Sequence, residues 1–337
     1  MSYTFRERVL DPKRRVTIYE VVTPEPHTTV KALRRSALTL TSTLEGYREV
    51  DAIYVPEVIE EEGSTIVRHL KVPARRFAAF VRDSYKSNEE RRKKLIISHP
   101  FAYLPKDDTK AWLKETYGQA GIKNIIIVGP RHESPGMPGY QVREVARLIS
   151  KMNKCGELDV FPGAICIDSR RQRVNKRLRI DEPKRMVAKA RAGVMYFVNQ
   201  ICYDPQSMIN LLRDYKHESE KQCVEHRRVF IGISPISSRA TLRVIEDLMG
   251  EVDSELKSHL FSRDYGIGNR SIERIEEMLR RVFDFCYGEN LGVPLGVCVE
   301  HVTDSNFKYA LELLESLPEI WKDYHPDSEF PVSTNHK

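Results

Sequence analysis

The chain lacks the short signatures that announce several common chemistries. It has no Walker A loop, no GxSxG elbow, no CxxC pair and no HExxH. Those absences set aside P-loop nucleotide hydrolysis, the nucleophile-elbow hydrolases, dithiol redox motifs and the zincin type of metal site. It also lacks any apolar run near the roughly 20 residues that span a bilayer. The first fifteen residues mix Arg6, Glu7, Arg8, Asp11 and Lys13, with none of the apolar core of a signal peptide. A cytoplasmic protein with no membrane partner is expected. The six cysteines, at 155, 166, 202, 223, 286 and 298, form no close pairs. Several lie in apolar runs, so they read as core thiols of a reducing compartment.

What is present is a large chain with a modest basic excess. At 337 residues and 41% hydrophobic it can bury a sizeable core, as one α/β barrel or as two domains. A net charge of +6 suits an enzyme of anionic ligands or a weak nucleic-acid binder, and does not choose between them.

Short β-branched runs alternate with helical patterns, the signal for βα units and a parallel sheet. Eight strands are expected: 16–21, 51–55, 95–98, 124–128, 161–167, 195–199, 229–234 and 295–299. They are continuously apolar (IIIV, GAICI, VFIGI), as strands covered on both faces must be. Helices are expected at 31–44, 109–119, 141–152, 182–192, 205–215, 239–249, 271–287 and 306–316. Strand 1 runs into Thr23-Pro24-Glu25-Pro26, without the GxGxxG turn of a doubly wound nucleotide fold. The expected architecture is therefore a single-domain (β/α)8 TIM barrel over 16–320, with an N-terminal arm at 1–15 and a tail at 321–337. Segment 58–68 reads as a surface loop.

In such a barrel the strands' carboxyl ends build the active site. Glu20, His99, Asp168, Gln200 and Glu300-His301 stand there. Glu20 sits inside the apolar run IYEVV. If it faces inward, burial raises its pKa toward neutrality and makes it a general acid; if outward, it is a structural carboxylate. Six cations between Arg170 and Arg179 could grip a pyrophosphate or a polyglutamate tail, or form a solvated loop. No aromatic residue interleaves them, which weakens a nucleic-acid reading. His99, His132 and His301 could converge at the barrel mouth, depending on register, but no metal site is expected.

Several stretches, in order, resemble the methylenetetrahydrofolate reductase family. Tyr19-Glu20-Val21-Val22 with Pro24 resembles its first-strand glutamate motif, and Asn124 to Gly129 its fourth strand. Lys189-Ala190-Arg191-Ala192-Gly193 and then Tyr196 to Asp204 resemble its K-x-x-A-G-A segment followed by T-Q and an aromatic-Asp pair. Gly232-Ile233-Ser234-Pro235-Ile236 resembles its seventh strand, and Asn290 to Val299 has the layout that leads into its eighth.

The resemblance implies a flavoprotein oxidoreductase of one-carbon metabolism and methionine biosynthesis. It would reduce a methylene-tetrahydrofolate carrier to the methyl form, with FAD relaying hydride from NAD(P)H. Glu20 would be the acid that opens the folate's imidazolidine ring. Gln200, Tyr203 and Glu300 would bind the pterin. His99, Arg131, Tyr140, Asp168, Arg170, Arg185 and Lys189 would hold the cofactor. A homo-oligomer is compatible with this reading. The family's Thr-Tyr-Gly, Arg-Gly-Asp and Tyr-Pro-Glu strand ends are replaced here by Pro56-Glu57-Val58, Gly129-Pro130-Arg131 and Asp168-Ser169-Arg170. The alternatives are thus a non-redox pterin-dependent methyl-transfer protein or a catalytically altered paralogue on the same barrel.

Overall fold

The computed structural model describes residues 4–62, 66–85, 94–130, 137–168, 181–249, 251–263, 265–322 and 324. Eight parallel strands close into a barrel: β1 (Thr17–Val21), β2 (Val50–Val55), β5 (Lys94–His99), β6 (Asn124–Ile127), β7 (Phe161–Cys166), β8 (Tyr196–Ile201), β9 (Arg228–Ile233) and β10 (Leu295–His301). Each pairs with its neighbours in sequence order, and β1 closes the ring against β10. All eight are the strands expected from the apolar runs, shifted by one or two residues at their ends. The expected (β/α)8 architecture is the observed one.

The surrounding helices include α2 (Val30–Leu44), α4 (Lys106–Gly118), α5 (Val142–Lys154), α6 (Glu182–Arg191), α7 (Pro205–Lys221), α8 (Arg239–Met249), α10 (Ile267–Gly288) and α11 (Phe307–Lys322). Each has an apolar face that packs on the outside of the barrel, as amphipathic helices must. Capping marks where several begin: Thr29, Asp181 and Asp204 accept backbone N–H bonds at the starts of α2, α6 and α7.

The structure adds elements that the patterns did not give. Helix α1 (Phe5–Leu10) lies within the expected arm, α3 (Ala74–Ser84) follows β2, and α9 (Ser254–Leu260) follows α8. Segment 58–68 is no plain loop. It contributes β3 (Ile59–Glu62) and β4 (Ile66–His69), an antiparallel hairpin in register Ile59↔His69. Of the six free cysteines, Cys155 and Cys223 are exposed and do not belong to the core.

Inside the barrel, residues alternate in and out along each strand. The inward set at the bottom is aromatic: Phe161, Tyr196 and Phe230 meet Phe5 of α1 at centroid distances of 5.7–6.3 Å. Helix α1 thereby plugs the amino-terminal end. Arg228 holds the plug: its guanidinium donates to the carbonyls of Val9, Asp11 and Leu295. Burial pushes its pKa down to about 10, still well above neutrality. Above the aromatic layer come Ile18, Ala52, Ile96, Ile126 and Val198. The packed layers leave the opposite end, where the strands finish, as the barrel's mouth.

Candidate functional site

The inward positions become polar at the mouth. Glu20 of β1 lies in register with Tyr54 of β2 on one side and Glu300 of β10 on the other. The same alternation puts Cys298 one layer below Glu300. One donor atom each from Glu20, Cys298 and Glu300 falls within a 4.8 Å group. The Cys298 thiol donates toward the Glu20 carboxylate at 3.9 Å. Glu300 is only 6% exposed, whereas Glu20 keeps part of its surface open at the mouth.

Two carboxylates and a thiol meet here with no counter-charge among the described residues. Among the described residues, no Lys, Arg or His comes within 4.0 Å of either carboxylate. Burial in the barrel raises the pKa of Glu20 to about 8, against a small lowering by the Cys298 hydrogen bond. Burial, and then the charge of Glu20, raises that of Glu300 well above the usual carboxyl range. Two negative charges about 5 Å apart would repel by on the order of 3 kcal/mol at an effective dielectric near 20. The Tyr54 phenol and the Cys298 thiol are held neutral by burial and by these same carboxyls.

Local backbone features make room for this cluster. Gly232 of β9 faces it: a Cβ there would lie 2.6 Å from the Glu300 carboxylate and would collide with the Asn199 carbonyl. The β8–β9 register slips between Val198 and Ile201, a bulge that contains Asn199 and Gln200. Bulges re-aim side chains and recur next to functional sites. Beyond the bulge, the Tyr203 hydroxyl donates to the Ser234 carbonyl and lies close enough to Glu300 to feel its charge. Asn306, fully buried, ties the strand ends together. Its amide donates to Ser234 Oγ at 3.0 Å and to the Pro235 carbonyl at 3.1 Å. Its oxygen accepts from the backbone of Thr303 at 3.0 Å, and Ser234 Oγ donates to the Glu300 carbonyl at 2.8 Å.

The expected catalytic and substrate residues are thus brought to one place: Glu20, Gln200, Tyr203 and Glu300 all stand at the mouth. The residues expected to hold a cofactor are scattered. Lys189 is buried and committed, donating to the Ile165 carbonyl at 2.7 Å and pairing with Glu182 at 3.2 Å. Arg185 sits 3.7 Å from the same Glu182. His99 stacks on Trp112 at 4.2 Å and meets Phe101 edge-on at 4.8 Å, among the packing around α4 rather than in the barrel. Burial holds its pKa down to about 3. His301 packs on Phe307 and Tyr19, outside the barrel, so these two histidines do not converge. Tyr140 packs on the outer core, with the Lys106 ammonium 5.1 Å above its ring. Arg131, Arg170 and His132 lie outside the described residues, as does the 170–179 basic segment.

Asp168 belongs to a separate cleft of about 160 Å³ beside the mouth, lined by Glu182, Asp204, Gln206, Ser207 and Asn210. Its carboxylate accepts from Asn199 at 3.3 Å and from the Cys202 thiol at 3.4 Å. As placed, the described members of this set do not form a cradle for FAD. Lys189 is committed to Glu182 and the Ile165 carbonyl, and the Asp168 carboxyl brings no positive charge for the phosphates of a dinucleotide. Sequence reasoning missed Tyr54, Cys298 and Gly232. Strand parity counted back from Glu300 would have pointed to Cys298, whereas Tyr54 follows only from the β1–β2 register with Glu20.

No protein-family model matches the chain, and no curated protein does. Among solved structures it is similar to an uncharacterized protein from Clostridium thermocellum described as binding two copies of 5-methyl-5,6,7,8-tetrahydrofolic acid. The TM-score is 0.73 at 15% identity, over 94% of this chain and 99% of that one. At that identity the likeness shows the fold. A thermostable aldo-keto reductase, Tm1743, aligns over 91% of this chain and 94% of its own with a TM-score of 0.48 and 10% identity, too distant to bear on function.

Proposed function

We propose that the barrel mouth binds a reduced folate-type pterin and that Glu20 supplies the proton for one-carbon chemistry on it, the reduction of a methylene carrier to the methyl form. The observation that carries this reading is a carboxyl held in its acid form, with its pKa raised to about 8, inside a polar mouth that also presents Gln200, Tyr203 and Glu300. A carboxylic acid protonated at neutral pH can protonate the bridging amine of the methylene form. The carbon–nitrogen bond then breaks, the electron pair stays on that nitrogen, and the resulting iminium accepts a hydride from a nicotinamide donor. The binding of 5-methyl-5,6,7,8-tetrahydrofolic acid by the Clostridium thermocellum barrel supports the ligand class.

A second reading keeps the pterin and drops the redox step. It is favoured by the commitment of Lys189 to Glu182 and Ile165, which leaves the expected flavin contacts unmade. In that case the protein is a pterin-dependent methyl-transfer or binding protein.

Calorimetric titration with 5-methyltetrahydrofolate tests the ligand class. Turnover of the methylene form with NADH or NADPH, with and without FAD, tests the reaction. Saturable binding by both the wild type and Glu20→Gln is expected, with turnover lowered about 100-fold or more in the variant, the usual scale for a lost general acid. Binding without turnover under every donor condition selects the second reading. No binding by the wild type overturns both.

A further inference from the structure

The pair Glu20–Glu300 is built more closely than a proton donor alone requires. The carboxyls sit on adjacent strands, in register, at the seam where β1 closes the barrel against β10. Gly232 is kept free of a side chain where a Cβ would press on Glu300. Among the described residues, the titratable groups that face the pair are neutral. Tyr54 comes from β2, Cys298 from β10 and Tyr203 from the segment after β8. Among the described residues, no cation pairs with either carboxylate. The carboxyl of Glu300, a residue only 6% exposed, accepts no hydrogen bond from the described residues, whose donors reach its backbone carbonyl instead. Such a group is costly to bury as an anion and finds its natural partner in the neighbouring carboxyl.

We propose that Glu20 and Glu300 form a coupled carboxyl dyad that stays protonated at neutral pH, so that Glu300 shares in delivering the proton to the bound substrate. The role in catalysis rests on the pterin reading above; the dyad itself is a property of the ligand-free protein. Removal of a first proton leaves an acid and a carboxylate within 4.8 Å of each other, whereas removal of the second meets both burial and like-charge repulsion. The proton leaves the pair when substrate nitrogen accepts it, and the pair is reset by uptake of one proton from water.

The test is the side-chain carboxyl carbon NMR titration of protein labelled at glutamate, without ligand. The wild type is expected to show two linked steps at the pair, the upper one above neutrality. In Glu300→Gln the Glu20 signal should titrate in a single step, with its midpoint at least one pH unit below that upper step. The reciprocal Glu20→Gln variant should do the same to Glu300, which keeps the result readable if one variant folds poorly. A Glu20 curve unchanged by Glu300→Gln overturns the dyad, because the groups would be titrating independently. Elemental analysis of the purified protein is the companion measurement: a stoichiometric divalent cation at the cluster also overturns it, since a cation would hold both carboxyls ionised. None of these readings depends on folate binding, so a failed dyad and a failed pterin reading are separate results.

Discussion

At the scale of single residues, the mouth is shaped as much by what is missing as by what is there. Gly232 is the sharpest case. A methyl group at that position would press on the Glu300 carboxylate at 2.6 Å and on the backbone of the β8 bulge. The neighbouring carbonyl belongs to a strand and cannot move aside, so the carboxyl must. Gly232→Ala is therefore expected to displace Glu300 and to weaken 5-methyltetrahydrofolate binding at least tenfold. The overpacking should cost stability by about 1–3 kcal/mol. Calorimetry and urea unfolding of the variant check the two effects. Unaltered affinity would mean that Glu300 does not face the ligand. Glu20 was legible at this scale because a carboxylate in an apolar strand demands an explanation. Cys298 was not, because a cysteine in an apolar strand demands none, and it read as an ordinary core thiol.

At the scale of elements, the barrel strands could be found because burial on both faces leaves them no freedom in composition. The hairpin β3–β4 could not. Its sequence carries three successive glutamates in place of an apolar run, and it forms a two-stranded sheet separate from the barrel. Helix α1 escaped for a different reason. Its six residues are too few to show helical periodicity, and its role is set by partners far away in the chain. Phe5 enters the aromatic layer, and Arg228 fixes the carbonyls of Val9 and Asp11 across more than two hundred residues. Arg228→Met retains the volume but leaves those buried carbonyls without donors, each worth about 1–3 kcal/mol. A fall in Tm of roughly 5–10 °C is expected, with faster hydrogen exchange over residues 4–16. A Tm within 1 °C of the wild type would show that the plug is held by its aromatic contact alone.

At the scale of the whole molecule, the buried titratable groups set how stability follows pH. In the unfolded chain Glu20 ionises near 4.5, and in the folded protein near 8. Glu300, Glu57 and Asp168 are shifted in the same direction by burial. A raised carboxyl pKa gives stability that is complete below the unfolded value and is lost as pH climbs to the folded one. His99 and His301 act oppositely, with pKa values pushed down by burial to about 3 and about 4 from 6.5. Their stability is complete above 6.5 and is lost as pH falls. Between pH 4.5 and 6.5 the two sets oppose each other. From pH 6.5 to 8 the histidine contribution fades and the carboxyls come to dominate, so the protein should lose stability toward pH 8. Each proton held by the folded chain and released on unfolding contributes about 1.4 kcal/mol per pH unit. Glu20→Gln removes one such group and relieves Glu300 of a charged neighbour. Its unfolding free energy should therefore fall less steeply than the wild type's, and the variant should be the more stable of the two at pH 8. Urea unfolding at pH 6.5, 7.2 and 8 measures both slopes. Parallel slopes would mean that Glu20 keeps an ordinary carboxyl pKa in the folded protein, which would remove the physical basis for its role as a proton donor.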